Sequence, residues 1–304
     1  MKIAIVNYQE SSQASVYGLK EFFDMANRAA SELAMEAQFE VEIRNHWQAQ
    51  SGDPVNTVVV IPPSHSGSYY LAPEQTLLDW LSEQHNKGAI LASACAGTFI
   101  LAHTQLLNNK SCTTHWGLAQ NLKAHFPDIK VKPESILINE GSLITAGGMM
   151  SWMDLGLEIV SSLMSPAVMR LLGKMLVIDT GSREQRFYQQ FVPNFQHGEE
   201  TIVRLQHHIA EHLGERLSNQ ALADLSCLTE RTLQRRFKKA TGFNINQYIQ
   251  NLRVQKACDL LESTTLTFDV ISFKVGYQDV SAFRKIFNRV VGLTPKAFRA
   301  RFCS

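Results

Sequence analysis

The sequence predicts an α/β parallel-sheet domain followed by an all-α domain that carries two helix-turn-helix motifs. Strand-like apolar runs alternate with helical stretches through the first half of the chain. A capped, basic helix pair occurs in the second half and recurs fifty residues later. Charge divides in the same place: residues 198–304 hold 16 Lys and Arg against 10 Asp and Glu, residues 1–197 hold 13 against 18, and the two surpluses leave the net +1. A basic half joined to an acidic one is expected of a nucleic-acid reader attached to a module that avoids the phosphate backbone. At 304 residues and 45% hydrophobic content, two ordinary cores are expected.

In chain order, Lys2–Tyr8 is an apolar opening strand, Val16–Glu36 a helix and Phe39–Asn45 an alternating strand. Thr57–Ile61 is a β-branched run of the kind buried in parallel sheets, and Glu74–Asn86 reads as a helix. Next come a strand over Ala89–Ala92, a sharp turn at Cys95, Ala96 and Gly97, and a helix from Thr98. Strand, small residue, Cys, small residue, Gly, helix is a nucleophile elbow with cysteine in the nucleophile position, where the helix dipole and free N–H groups favour thiolate. His115 follows twenty residues later in TTHW, and a Gly147-Gly148 turn leads into a helix containing Asp154. In parallel sheets ligands sit at the carboxyl ends of the strands. The candidate ligand site is therefore Cys95, Ala96, His115, Trp116 and Met149, with Asn7 and Glu10 closing its rim. The same residues admit plainer readings: His115 as a hydrogen-bonded core histidine, Cys95 as a small turn residue, Asp154 as a helix cap.

In the second half, LSNQALADLSCLTERTLQRRFKKATG (217–242) reads as two short helices around a turn at Ser226–Leu228. Ser218 and Thr229 are the caps, Leu222 and Leu225 share one face, Leu233 and Phe237 are buried i,i+4, and Gly242 stops the second helix. Its outward side carries Arg231, Gln234, Arg235, Lys238 and Lys239, long enough to reach base edges or phosphates in a major groove. Shifted by fifty, Leu225 falls on Val275, Thr229 on Asp279, Leu233 on Phe283, Phe237 on Phe287, Gly242 on Gly292 and Tyr248 on Phe298. The second outward set is Ser281, Arg284 and Lys285. Between the copies, Ile245–Glu262 keeps helical spacing and forms a rod of roughly 27 Å, suited to holding two recognition helices about one DNA turn, roughly 34 Å, apart.

Residues from about Glu199 to Phe302 resemble the DNA-binding domain of the AraC/XylS family of transcription regulators, most specifically in FKVGYQDVSAFRKIFNRVVGLTPKAFR (273–299). Residues 1–165 resemble the PfpI-like branch of the class I glutamine amidotransferase superfamily, which implies a flavodoxin-like sandwich of helices about a parallel sheet. Such a fusion is the architecture of the GlxA-like regulators, and the stretch LGKMLVIDTGSREQRFYQ (172–189) also looks like theirs. The expected organisation is a PfpI-like sensor domain over 1–165, a linker over 166–198 and a DNA-binding domain over 199–304. PfpI-like hydrolases pair the cysteine with an acid. Alignment on Gly18, Glu21, Phe23 and Asn27 puts Ser15 in that place, and Pro63, which has no N–H to donate, where they have a Gly-Gly oxyanion turn.

The expectation is a regulator that binds double-stranded DNA, works with RNA polymerase as a homodimer, and responds to a small-molecule effector through a catalytically silent first domain. A thiol-dependent hydrolase or amidase and a redox switch, both acting through Cys95, are the rival readings. No cofactor is expected, and no metal: His208 and His212 in HHIAEH are i,i+4 but lack a third ligand of suitable spacing. The five cysteines (Cys95, Cys112, Cys227, Cys258 and Cys303) are scattered as reduced thiols would be, with Cys227 and Cys258 read as packing residues. No apolar run is long enough to cross a membrane, and MKIAIVNY is too short and too soon polar for a signal peptide, so the cytoplasm is the expected location.

Overall fold

The computed structural model describes residues 1–47, 55–181 and 184–302; Cys303 lies outside the described residues. The chain separates into two compact units, Met1–Gln185 and Arg186–Ser304.

The first unit is built on strands β1 (Lys2–Val6), β2 (Glu40–Arg44), β3 (Val58–Ile61), β4 (Ile90–Ala94), β5 (Ser111–Cys112), β6 (Lys130–Val131), β7 (Leu137–Asn139) and β8 (Leu143–Ala146). Six of them form one sheet in the order β2-β1-β3-β4-β8-β7, parallel except for β7 against β8, while β5 and β6 pair separately. Alternate strand residues feed opposite faces. Ile3, Ile5, Val58, Val60, Ala92 and Ile144 pack under α1 (Gln13–Glu32), α5 (Trp152–Leu163) and α6 (Pro166–Leu176). Ala4, Val6, Val59, Ile61, Leu91 and Leu143 pack under α2 (Gln75–Asn86), α3 (Gly97–His103) and α4 (Ala119–His125). Burial on both faces explains why these strands read as unbroken apolar runs. Helices α1 and α5 interlock through two glycines: a Cβ on Gly18 would stand 2.9 Å from Trp152, and one on Gly156 would stand 2.7 Å from Phe22.

Part of the stretch expected as linker is folded into this unit. Ser165 caps α6 by accepting the Val168 N–H at 3.2 Å, and Val168 and Leu172 are fully buried in the core shared with α1 and α5. Seven of its eleven residues are apolar (Ala167, Val168, Met169, Leu171, Leu172, Met175 and Leu176), as packing on this core requires, and the boundary at 165 follows the extent of the resemblance rather than that pattern.

The second unit is helical: α7 (Glu200–Glu211), α8 (Asn219–Leu225), α9 (Glu230–Thr241), α10 (Ile245–Ser263), α11 (Phe268–Lys274), α12 (Val280–Val291) and α13 (Pro295–Phe302). Each helix of the two motifs has a side-chain cap: Ser218 on α8, Thr229 on α9, Thr267 on α11 and Asp279 on α12. Gly242 and Gly292 end α9 and α12 in the left-handed region, at φ +80° and +81°. One core gathers Ile202, Leu222, Leu233, Phe237 and Tyr248, and the other gathers Val254, Ile271, Phe283, Phe287 and Phe298.

The repeat is offset by fifty only from the second helix of each motif onward. In the first helices the offset is 49: Ser218 matches Thr267, Leu222 matches Ile271, and left-handed Cys227 (φ +53°) matches left-handed Gly276 (φ +87°). Gln278 is the extra residue, placed between the turn and the Asp279 cap. Two expectations change with the register. Leu225 is 55% exposed, unlike the buried Val275 expected to match it, because Leu222, Ala223 and the turn residue Leu228 fill the core instead. Cys227 is exposed in its turn and is no packing residue, whereas Cys258 is buried.

Leu222→Ala should therefore cost about 2–5 kcal/mol by leaving a cavity, while Leu225→Ala stays within about 0.5 kcal/mol of the parent. Urea denaturation of the two variants measures this, and equal losses would contradict the register.

Candidate functional site

Helix α9 turns Leu233 and Phe237 into the core, which leaves Arg231, Arg235, Lys238 and Lys239 exposed on the other side with Gln234 half-buried beside them. Arg236, between the two sets, forks onto both carboxylate oxygens of Glu199 at the start of α7, a pair that holds the Glu199 carboxyl below its usual range. Its role is to tie α9 to α7. In the second copy Ser281, Arg284 and Lys285 are exposed on α12 over buried Phe283 and Phe287. The Arg284 guanidinium rests 3.3 Å from Asp269 and 5.3 Å from the Phe268 ring centroid. Both partners of that ion pair are more than half exposed, so it is weak and easily exchanged for a phosphate or a base edge.

In the first unit the elbow is formed as a strained turn. Cys95 has φ +54°, a left-handed value that a non-glycine residue adopts at a cost. Its N–H donates to the Ala146 carbonyl at 2.9 Å and its carbonyl accepts from the Thr114 hydroxyl at 2.7 Å. Gly97 is obligatory there: a Cβ would lie 2.6 Å from the Pro62 carbonyl and 2.7 Å from that of Ile61. The thiol is nearly buried, and burial pushes it up to about 11 although the Ala96 and His115 backbone N–H groups pull the other way. At neutral pH it is a thiol, contrary to the thiolate that the helix N-terminus favours: desolvation outweighs a seven-residue helix.

Of the sequence-predicted residues, Ala96 and His115 bring their backbone N–H groups to the thiol. Ala96 is buried; His115, Trp116 and Met149 are half-buried. The His115 and Trp116 rings lie 5.1 Å apart, His115 Nδ1 accepts the Gly117 N–H at 3.1 Å, and burial lowers the His115 pKa. The two rim residues go elsewhere. Asn7 bonds to Asn45, Ser11 and Gln13 and lines a separate cavity of about 430 Å³ with Tyr8, Trp47 and Tyr69, in which neither Cys95 nor Trp116 takes part. Glu10 folds back to accept the Tyr69 N–H at 2.9 Å. The strand order reverses between β1 and β3, and an antiparallel bridge from Ser11 to Ser64 crosses that point.

Sequence reasoning missed two residues here. Tyr8, buried, donates its hydroxyl to the Pro62 carbonyl at 2.8 Å, with its pKa pushed well up by burial and then by neighbouring Cys95. Gln185, 2% exposed, accepts the Trp116 N–H at 2.9 Å and donates to the Thr114 and Pro133 carbonyls at 2.9 Å each. It fills the space above Gly147, where a Cβ would overlap its amide. A lone glutamine in a polar run carries no pattern that could have singled it out.

The residues aligned with the acid and the oxyanion turn, Ser15 and Pro63, bond locally to Ser12. Ser15 is buried and bonds Ser12 Oγ at 3.1 Å, and buried Pro63 offers only its carbonyl, which accepts the Ser12 N–H at 2.8 Å. Asp154 lies in the first turn of α5. His208 and His212 stack at 4.1 Å, and among the described residues no group of three or more His, Cys, Asp or Glu is placed to hold a metal ion. No helix among them is long and apolar enough to cross a membrane.

With Cys95 titrating near 11 and Cys227 exposed, alkylation by iodoacetamide at pH 8 should mark Cys227 first and leave Cys95 largely unmodified. Cys95 labelling should rise only as pH climbs toward 11. Peptide mapping reads both, and rapid Cys95 labelling at pH 7 would show a thiolate.

A family model described as a helix-turn-helix domain matches residues 222–301, and the DJ-1/PfpI family model matches residues 25–162. The HTH-type transcriptional regulator CdhR of Pseudomonas aeruginosa is 23% identical over 262 residues, 83% of this chain and 78% of that one. The HTH-type transcriptional regulator GlxA of Rhizobium meliloti is 22% identical over 223 residues, 70% of this chain and 66% of that one. The HTH-type transcriptional activator RhaS of Escherichia fergusonii is 36% identical over 104 residues, 33% of this chain and 37% of that one. The chain therefore joins a DJ-1/PfpI domain on a mostly parallel sheet to an AraC-type helix-turn-helix domain with two capped copies, a combination similar to that of HTH-type transcription regulators that bind DNA.

Proposed function

We propose that the regulator reads two successive major-groove segments, the first through Arg231, Gln234 and Arg235 and the second through Ser281, Arg284 and Lys285, while Lys238 and Lys239 contact phosphates. The observation that carries this reading is the equivalence of α9 and α12: both are capped, both bury two aromatic or aliphatic residues i,i+4, both stop at a left-handed glycine, and both leave the outer matching positions exposed, Arg231 and Arg235 in one and Ser281 and Lys285 in the other. On this reading residues 199–304 are the DNA reader and residues 1–165, extended by α6 and on to Gln185, the sensor, with 186–198 leading from one to the other. The resemblance to AraC-type regulators supports action as a cytoplasmic homodimer that engages RNA polymerase.

The sensor takes a small, partly apolar effector at the turns carrying Cys95, Ala96, His115, Trp116 and Met149, and it does so without catalysis. A protonated thiol, a serine in the acid position and a proline without an N–H leave acyl chemistry unsupported. The same neutral, buried thiol disfavours a redox switch, since oxidation follows thiolate character and exposure.

Arg231→Ala or Arg235→Ala should cost about 1–3 kcal/mol on a selected operator and relax preference at one base pair, whereas Lys238→Ala should weaken specific and random duplexes alike and reduce the salt slope by about 1. Competition binding at several salt concentrations separates the two classes, and equal losses on both duplexes for the arginine variants would refute direct readout. For the sensor, a thermal-shift screen with small metabolites should find a stabilising compound in the parent. That shift should vanish in Trp116→Ala; an undiminished shift places the effector elsewhere.

A further inference from the structure

Helix α10 changes allegiance at Arg253. On its amino-terminal side Ile245, Tyr248, Ile249 and Leu252 pack into the core of the first helix-turn-helix copy, and on its carboxyl-terminal side Val254, Ala257, Cys258 and Leu261 pack into the core of the second. Arg253 bonds to both sides of that joint. Its Nε donates to the Leu213 carbonyl at 3.1 Å and its Nη2 to the Glu215 carbonyl at 2.7 Å, both in the turn that leads from α7 to α8. Its guanidinium also lies 5.2 Å from the ring centroid of Tyr277, in the turn between α11 and α12. Tyr277 in turn stacks on Phe283 at 4.3 Å, and Phe283 is the buried anchor of α12.

The backbones of the two turns approach each other directly. A Cβ on Gly276 would stand 2.8 Å from Arg253 Nη2 and 2.9 Å from the Leu213 carbonyl, and one on Gly214 would stand 3.1 Å from the Lys274 carbonyl. Beside this contact lies a cavity of about 710 Å³ whose lining includes Glu215, Asn246, Gln250, Phe273 and Gln278, so the joint is bordered by open space. Other ties across the joint are α10 itself, which is unbroken, the Arg289 Nη2 bond to Gln250 Oε1 at 2.9 Å and the Phe191 N–H bond to Gln255 Oε1 at 2.9 Å.

We infer that Arg253 is a positioning residue that, with Gly276, fixes the separation and relative rotation of the two recognition helices, and so sets the number of base pairs between the two DNA elements the protein accepts. The chain of contact runs from the Leu213 and Glu215 carbonyls through the guanidinium to Tyr277, Phe283 and α12. A planar fork that bonds two carbonyls while stacking on a ring is a task lysine cannot perform. This inference rests on the reading that both copies dock on one duplex.

The test is selection of randomised DNA duplexes by the full-length chain, in parallel for the parent, Arg253→Lys and Gly276→Ala. The parent should return two sequence elements at a single spacing. Arg253→Lys should return the same two elements at spacings spread over neighbouring base-pair counts, and its affinity ratio between the parental spacing and one displaced by a base pair should fall at least fivefold. Gly276→Ala, which wedges the turns apart, should shift the preferred spacing or broaden it. General destabilisation lowers affinity for all spacings together and leaves that ratio unchanged, and circular dichroism identifies any variant that does not fold. A spacing preference in folded Arg253→Lys as narrow as the parent's overturns the inference while leaving two-element recognition intact. A parent that selects a single element overturns two-copy docking and the inference together.

Discussion

Helix α10 belongs to two hydrophobic cores at once, and the DNA-binding unit depends on that double membership. Its companions are short: α8 and α11 have seven residues each, below the length at which an isolated helix holds together in water. Each gains stability by docking on one half of a helix of nineteen residues, about 28 Å long. Because a single rigid element anchors both lobes, packing also decides where the two recognition helices stand. The exposed arginines and lysines on α9 and α12 are consequences of what Leu233, Phe237, Phe283 and Phe287 must bury.

In the first unit the governing constraint is desolvation. The turn at Cys95 retains the strained backbone and close glycine contact of a nucleophile elbow, yet the thiol is walled in and protonated. Ser15 and Pro63 direct their polar atoms to Ser12, which spends on local structure the groups that acyl transfer would need. Beside the elbow the half-buried His115 and Trp116 rings lie 5.1 Å apart, and a buried amide, Gln185, bonds to the backbone of the same turn.

Much of this was legible in the sequence wherever a local rule had no competitor. The caps at Ser218, Thr229 and Asp279, the stops at Gly242 and Gly292, and the apolar runs of the parallel strands each follow from chemistry within a few residues. Leu225 was misplaced because i,i+3 spacing with Leu222 is ambiguous in a helix of two turns, and the turn residue Leu228 supplied the third core contact. Asn7 and Glu10 sit at the carboxyl end of β1 as expected but bond to Asn45 and to the Tyr69 N–H, partners far away in the chain. Gln185 and Arg253 were invisible for the same reason: each acts through backbone groups that only the folded chain brings near, at separations of 38 to 71 residues.

Two recognition helices held by one rod make a geometric demand on DNA. Hydroxyl-radical footprinting of the full-length chain on a selected operator tests it most directly. The account predicts two protected segments on one face of the duplex, about one helical turn or roughly 10 base pairs apart. A single protected segment, or protection spread evenly around the duplex, would contradict it.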